Sequence, residues 1–270
     1  QFRVIGKSHD ERMIPMVELG KGNTCIFCIS GLTGLDRQTP GFLIQMLLEY
    51  VKAWENGWKI EEIYDIREFL EKWRICFIPV LNPDGYEIYA GDFQAIRNPI
   101  YRQMLRMQEI PAKEYTGNAR GTDLRKNFPT QYYQRKQVMQ QPASENETKA
   151  LIRIFQEYGG RGLLVFCGYG KKVVYYRRDQ NFSTGQRCYR LARHLKKCTR
   201  GKLEQLAIER EAQNGRRSTG RPEQYYGEMI RQPAFRIELP VNSGNKEEEE
   251  REIRDLMLLP LEYIYSLVQL

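Results

Sequence analysis

The sequence lacks any apolar run long enough to cross a bilayer, so no membrane-spanning helix is expected. No leader-like segment opens it, although a chain that begins at Gln1 says little on that point. No internal repeat and no domain boundary interrupts it. Acidic residues fall short of basic ones, 34 against 42, which leaves a net charge of +8 and favours acidic partners. The basic residues are scattered rather than gathered among interleaved aromatics. Their densest stretches, YYRRDQ (175–180) and ARHLKKCTRGK (192–202), read as solvated faces, so no nucleic-acid partner is expected. Of the cysteines Cys25, Cys28, Cys76, Cys167, Cys188 and Cys198, only Cys25 and Cys28 have C-x-x-C spacing, inside an apolar β-type run and with no second pair. Zinc-ribbon and thioredoxin-like sites are therefore disfavoured, and mostly buried free thiols are expected. Without an extracellular disulfide framework the compartment leans towards the cytoplasm. Histidine occurs only twice, as His9 and His194.

What is present is an alternation of short apolar runs with helical segments over residues 1–270, read as one globular domain. Strands are expected at 25–30, 74–81, 162–170, 172–178 and 234–241, where Val, Ile, Phe and Tyr cluster. Helices are expected at 40–55, 60–72, 144–158, 183–198, 202–212 and 247–269. Ser144 and Glu147 have capping-box spacing, the acidic run at 247–250 suits a helix start, and Pro260 should interrupt the last helix. Residues 86–143 read as irregular and loop-rich. Strands separated by helices imply a parallel or mixed sheet covered on both faces, with a site where loops leave the strands' carboxyl ends. Those ends fall after residues 30, 81 and 167 and near 238. In NTCIFCISGLTGLDRQTPGFL (23–43) a strand runs into a Gly-rich loop that offers Thr33 and Asp36 but no histidine.

Read together, PVLNPDGYE (79–87), RGTDLRKNFP (120–129), SENETKAL (144–151), FCGYG (166–170) and FRIELP (235–240) stand in the order and spacing of the zinc carboxypeptidase A family. GKSHDERMIPMVELG (6–20) matches that family's opening hairpin. The chain resembles the family over essentially its whole length. The resemblance implies a single α/β/α domain with a mixed, twisted sheet of about eight strands.

Such enzymes hold one zinc through His-x-x-Glu after an early strand and a second His after a later one. The ion polarises the scissile carbonyl and acidifies a bound water, with a nearby Glu as general base. By position, the ligands correspond here to Thr33, Asp36 and Cys167. A neutral hydroxyl is a poor zinc ligand. Asp36 is one methylene shorter than Glu, setting its oxygen about 1.5 Å back. Cys167 can ligate only as a thiolate. The resemblance places Glu238 at the general base and Arg120 at the residue facing the oxyanion. Arg125 and Lys126 match the Asn and Arg that grip a peptide's terminal carboxylate, without the planar fork at the second position. The loop at 211–222, which carries a Tyr in relatives, here carries Arg216, Arg217 and Arg221.

Three readings follow. The first is a carboxypeptidase-fold protein without catalytic zinc that binds an acidic peptide or a small carboxylate. The second is an atypical active metallocarboxypeptidase, with zinc as cofactor, acting on peptides or peptidoglycan stem peptides. The third is an interaction protein with a vestigial pocket. Losing both imidazoles together with the Arg and Tyr positions favours the first and third, in which no cofactor is required. The oligomeric state is not legible.

Overall fold

The computed structural model describes the chain except for residues 131–140, 169, 177–181, 210–219, 241–253 and 270, and except for the side chains of Tyr176, Phe182 and Glu209. The opening hairpin pairs β1 (Phe2–Lys7) with β2 (Met13–Leu19). The central strands are β3 (Thr24–Ile29), β6 (Trp73–Ile78), β7 (Gly162–Cys167) and β10 (Ala234–Glu238), with β8 (Lys172–Tyr176) and β9 (Gln205–Glu209) beyond them. These eight strands form one sheet in the order β1-β2-β6-β3-β7-β10-β8-β9. The pairs β6/β3, β3/β7, β7/β10 and β8/β9 are parallel, and the pairs β1/β2, β2/β6 and β10/β8 antiparallel. The expected mixed eight-stranded sheet is therefore the one observed.

Strand periodicity explains the layering. Ile26, Cys28, Ile75, Phe77, Leu164 and Phe166 face one side and pack on α1 (Gln38–Asn56), α6 (Phe182–Cys198) and α8 (Leu259–Gln269). Cys25, Phe27, Ile29, Cys76, Ile78, Leu163 and Val165 face the other and pack on α5 (Asn146–Tyr158) and α7 (Pro222–Tyr225). Cys25 and Cys28 thus point to opposite layers, and no disulfide links any of the six cysteines. A satellite core of Ile88, Phe93, Leu105 and Tyr115 lies under α3 (Pro83–Gly91) and α4 (Pro99–Arg106), so the region expected to be irregular carries two helices.

Three expectations need correction. Residues 205–209 form a parallel edge strand on β8 rather than a helix, because Leu206 and Ile208 gain partial burial against the core there. The segment from 60 opens as a two-stranded ribbon, β4 (Lys59–Ile60) with β5 (Tyr64–Asp65). Its helix, α2 (Ile66–Lys72), begins only where the Asp65 carboxylate accepts the N–H groups of Arg67 and Glu68. The Ser144–Glu147 capping box does not form. Glu145 occupies the N-cap position, the Ser144 hydroxyl donates to its carboxylate at 2.7 Å, and Glu147 turns inward to Asn118. Residues 247–253 lie outside the described residues, and Pro260 sits in the first turn of α8, just after the helical stretch 254–257 ends.

Candidate functional site

The loop after β3 owes its shape to the NPDG turn at the start of α3. Asn82 caps that helix by accepting the Gly85 N–H at 2.8 Å, while its amide nitrogen donates to the carbonyls of Leu32 at 3.1 Å and Gly117 at 3.2 Å. One buried side chain thereby ties together three loops at the strand ends. Gly34 lies so close to this turn that a Cβ would fall 2.0 Å from the Gly85 oxygen. Within the loop, the Thr33 hydroxyl accepts the Leu35 N–H at 3.0 Å, and Thr33 is itself almost fully buried.

A cavity of about 260 Å³ opens at the carboxyl ends of β3, β7 and β10. Its wall includes Asp36, Cys167, Glu238, Arg125 and Arg221, all anticipated from the sequence, and Glu223 and Arg236, which were not. Cys167 and Glu238 are direct partners across the parallel β7/β10 pair, as are Val165 and Arg236, so all four side chains share one face. Thr33, Arg120 and Lys126 do not line the cavity. Arg120 is 43% exposed and reaches only the edge of Glu145, at 3.9 Å. Lys126 is also exposed and pairs with Asp123 at 3.4 Å. Arg216 and Arg217 lie outside the described residues.

The charges in the cavity are already matched to one another. Both oxygens of Glu238 are engaged, one by Arg236 Nε at 3.0 Å and the other by Lys172 Nζ at 3.1 Å. Arg236 also donates through Nη1 to Glu223 at 2.8 Å, so it bridges two carboxylates. The cations that hold Glu238 are thus Arg236 and Lys172, not Arg120 or Arg125. Arg125 gives the Nε and Nη2 edge of its guanidinium to Asp123, at 2.9 and 2.8 Å. Asp36 accepts the Gly168 N–H at 3.1 Å through one oxygen, and its other oxygen is buried without a partner. Burial pushes the Asp36 carboxyl up to about 6, against the pull of that N–H. Burial, reinforced by Asp36, also raises the Cys167 thiol far above its ordinary range.

This donor set does not fit a zinc ion. The Thr33 hydroxyl is turned into its own loop, and the Cys167 thiol faces the Ile237 carbonyl at 3.8 Å. Among the described residues, no three imidazole, thiol or carboxylate donors of the cavity lie within 4.8 Å of one another. The one such group in the described residues lies elsewhere: His9, from the turn after β1, meets Glu145 and Glu147 at the start of α5. From sequence, His9 reads only as part of the opening hairpin, because no local pattern shows which distant segment the turn will meet. Arg236, by contrast, had a signal: in FRIELP it stands two residues before Glu238, which puts both side chains on one face of a strand.

The sheet order and the strand-end cavity together define a carboxypeptidase-type α/β/α scaffold. The chain belongs to the zinc carboxypeptidase family, whose model matches residues 1–257. By sequence, no curated protein matches it. Among solved structures it resembles thrombin-activatable fibrinolysis inhibitor, with a TM-score of 0.74 at 14% identity, covering 100% of this chain and 69% of that one. It also resembles a metallo-carboxypeptidase from Pseudomonas aeruginosa solved with (2-guanidinoethylmercapto)succinic acid, with a TM-score of 0.63 at 16% identity over 98% and 65% of the two chains. Murein-tripeptide amidase MpaA from Escherichia coli O157 gives a TM-score of 0.56 at 15% identity over 96% and 91%. Likeness at these identities is likeness of fold. No helix among the described residues is long and apolar enough to cross a membrane.

Proposed function

We propose that this chain is a carboxypeptidase-fold binding protein that holds a peptide end or a small carboxylate at the strand-end cavity and performs no zinc-dependent hydrolysis. The observation that carries the reading is the state of Glu238: the residue in the position of the general base has both oxygens committed to cations, Arg236 and Lys172. A base must have an oxygen within reach of the water it deprotonates. Cys167 and Thr33 stand where the family's imidazoles would be, with the Thr33 hydroxyl accepting from its own loop, so the groups that would hold the carbonyl-polarising ion are also changed.

Anion binding is supported by the cations around the opening. Arg125 and Arg221 line the cavity. With the Nε–Nη2 edge of Arg125 given to Asp123, the Nη1 corner is what it presents to a ligand. The net charge of +8 adds long-range attraction for an acidic peptide. The succinic acid derivative in complex with the Pseudomonas metallo-carboxypeptidase supports the same ligand class.

The test is a calorimetric zinc titration of the reduced, metal-free chain beside a Cys167→Ser variant. The expected result is that whatever zinc binds is held equally by both. Tight binding of one ion per chain that disappears with Cys167 would overturn the proposal and restore the metallopeptidase reading.

A further inference from the structure

We infer that His9, Glu145 and Glu147 form a binding site for a zinc-class divalent ion, apart from the strand-end cavity. The three side chains come from two segments far apart in sequence, and their ligand atoms all lie within 4.8 Å of one another. His9 Nε2 stands 3.2 Å from a Glu145 oxygen. Two ligand atoms on a tetrahedral ion with bonds of about 2.0–2.1 Å are about 3.3 Å apart, so the His9–Glu145 pair already has that spacing, and His9 Nε2 would exchange the Asn146 N–H it accepts at 3.4 Å for the ion.

The surroundings hold the donors in place as outer-shell groups do. The turn that presents His9 is braced on both sides. Ser8 donates to Asp84 at 2.6 Å, and Asp10 accepts the N–H groups of Arg97 and Asn98 at 2.8 and 2.9 Å. Ser144 donates to one Glu145 oxygen at 2.7 Å, which aims the other at His9. The side chain of His9 keeps 14% exposure, which gives the ion a way in, whereas Glu145 and Glu147 are buried.

Charge makes the same case. Two buried carboxylates share the single amide nitrogen of Asn118, which is spread over three of their oxygens at 2.8–3.3 Å. Among the described residues, the guanidinium paired with Glu145 is that of Arg120, half-exposed and 3.9 Å away. With both carboxylates ionised, a dication and a neutral imidazole make the group neutral. The Thr148 hydroxyl on the same first turn of α5 is fully buried and has no hydrogen-bond partner. An imidazole among the ligands selects zinc or cobalt over calcium or magnesium.

The probes are Zn²⁺ by calorimetry and Co²⁺ by visible absorption, on the reduced, chelator-stripped chain. One ion per chain is expected to bind, with cobalt bands of a nitrogen–oxygen site and no thiolate charge-transfer band. Binding should persist in Cys167→Ser and weaken at least about tenfold in both His9→Ala and Glu147→Gln. Zinc should also raise the melting temperature of the parent and not that of His9→Ala, a comparison that each variant's own melting curve shows to be made on folded protein. Absence of binding to the parent, or undiminished binding to His9→Ala, would overturn the inference. Binding lost with Cys167 but kept without His9 would overturn it together with the proposed function, whereas loss with His9 alone leaves that function standing.

Discussion

Arg236 shows how much of this molecule depends on a single side chain. It lies on the cavity face of β10, only 11% exposed, between the carboxylates of Glu223 and Glu238. One oxygen of Glu223 is buried with no partner even so. Replacing Arg236 with Met would take its guanidinium from two largely buried carboxylates, and breaking a buried pair in this way costs about 3–5 kcal/mol. Arg236→Met is therefore expected to lower stability by that amount in urea unfolding. A loss under about 1 kcal/mol, the scale of an exposed ion pair, would show that the triad is solvated. Gly170 belongs to the same arrangement, since a Cβ there would lie 2.1 Å from a Glu238 oxygen. At this scale the sequence was partly legible. Asp36, Cys167 and Glu238 could be placed by strand-end position, but Glu223 and Lys172 could not, because their pairing depends on where α7 and β8 come to rest.

Elements were legible where burial on both faces leaves little choice. β3, β6 and β7 read as continuous apolar runs because each is covered by helices above and below. β9 was misread because LEQLAIEREA carries the spacing of an amphipathic helix, while its partner strand β8 is invisible to local pattern. The capping box failed for a related reason: Ser144 and Glu147 have the right spacing, but both are drawn to the buried polar group around Asn118. The NPDG turn is the contrary case, a short motif whose physical purpose is visible in the fold. Asn82→Ala removes a helix cap, worth about 1 kcal/mol, and strips donors from the Leu32 and Gly117 carbonyls, each loss costing about 1–3 kcal/mol if left buried. A loss of about 3 kcal/mol or more is expected. Asn98 caps α4 through the N–H groups of Ile100 and Tyr101 without tying other loops, so Asn98→Ala should cost only about 1 kcal/mol. Equal losses in the two variants, by chemical denaturation, would mean that Asn82 is merely a cap.

For the whole molecule, the two carboxylates at the start of α5 set opposite pH dependences. Burial opposes the charge of Glu145, but hydrogen bonds with His9, Asn118 and Ser144 hold its carboxyl down to about 2. Burial, with Asp84 and the other carboxylate beside it, pushes Glu147 up to about 8. For Glu145 the unfolded chain binds more protons between its folded value and the ordinary 4.5, so its stabilisation is full above that range and is lost as pH falls towards 2. For Glu147 the folded chain holds the proton. Its contribution is full below 4.5 and is lost as pH rises to 8, at up to about 1.4 kcal/mol per pH unit. Asp36, pushed up to about 6, adds a slope of the same sign in the lower part of that window. The metal-free chain is therefore expected to be most stable in mildly acidic solution and to weaken through neutrality. Glu147→Gln keeps an acceptor for Asn118 and has no proton to lose, so it should match the parent near pH 4.5 and exceed it by a few kcal/mol at pH 8. Urea unfolding of both proteins at half-unit steps between pH 4 and 9 measures the difference. Parallel curves across that range would mean that Glu147 is charged and solvated in the folded chain.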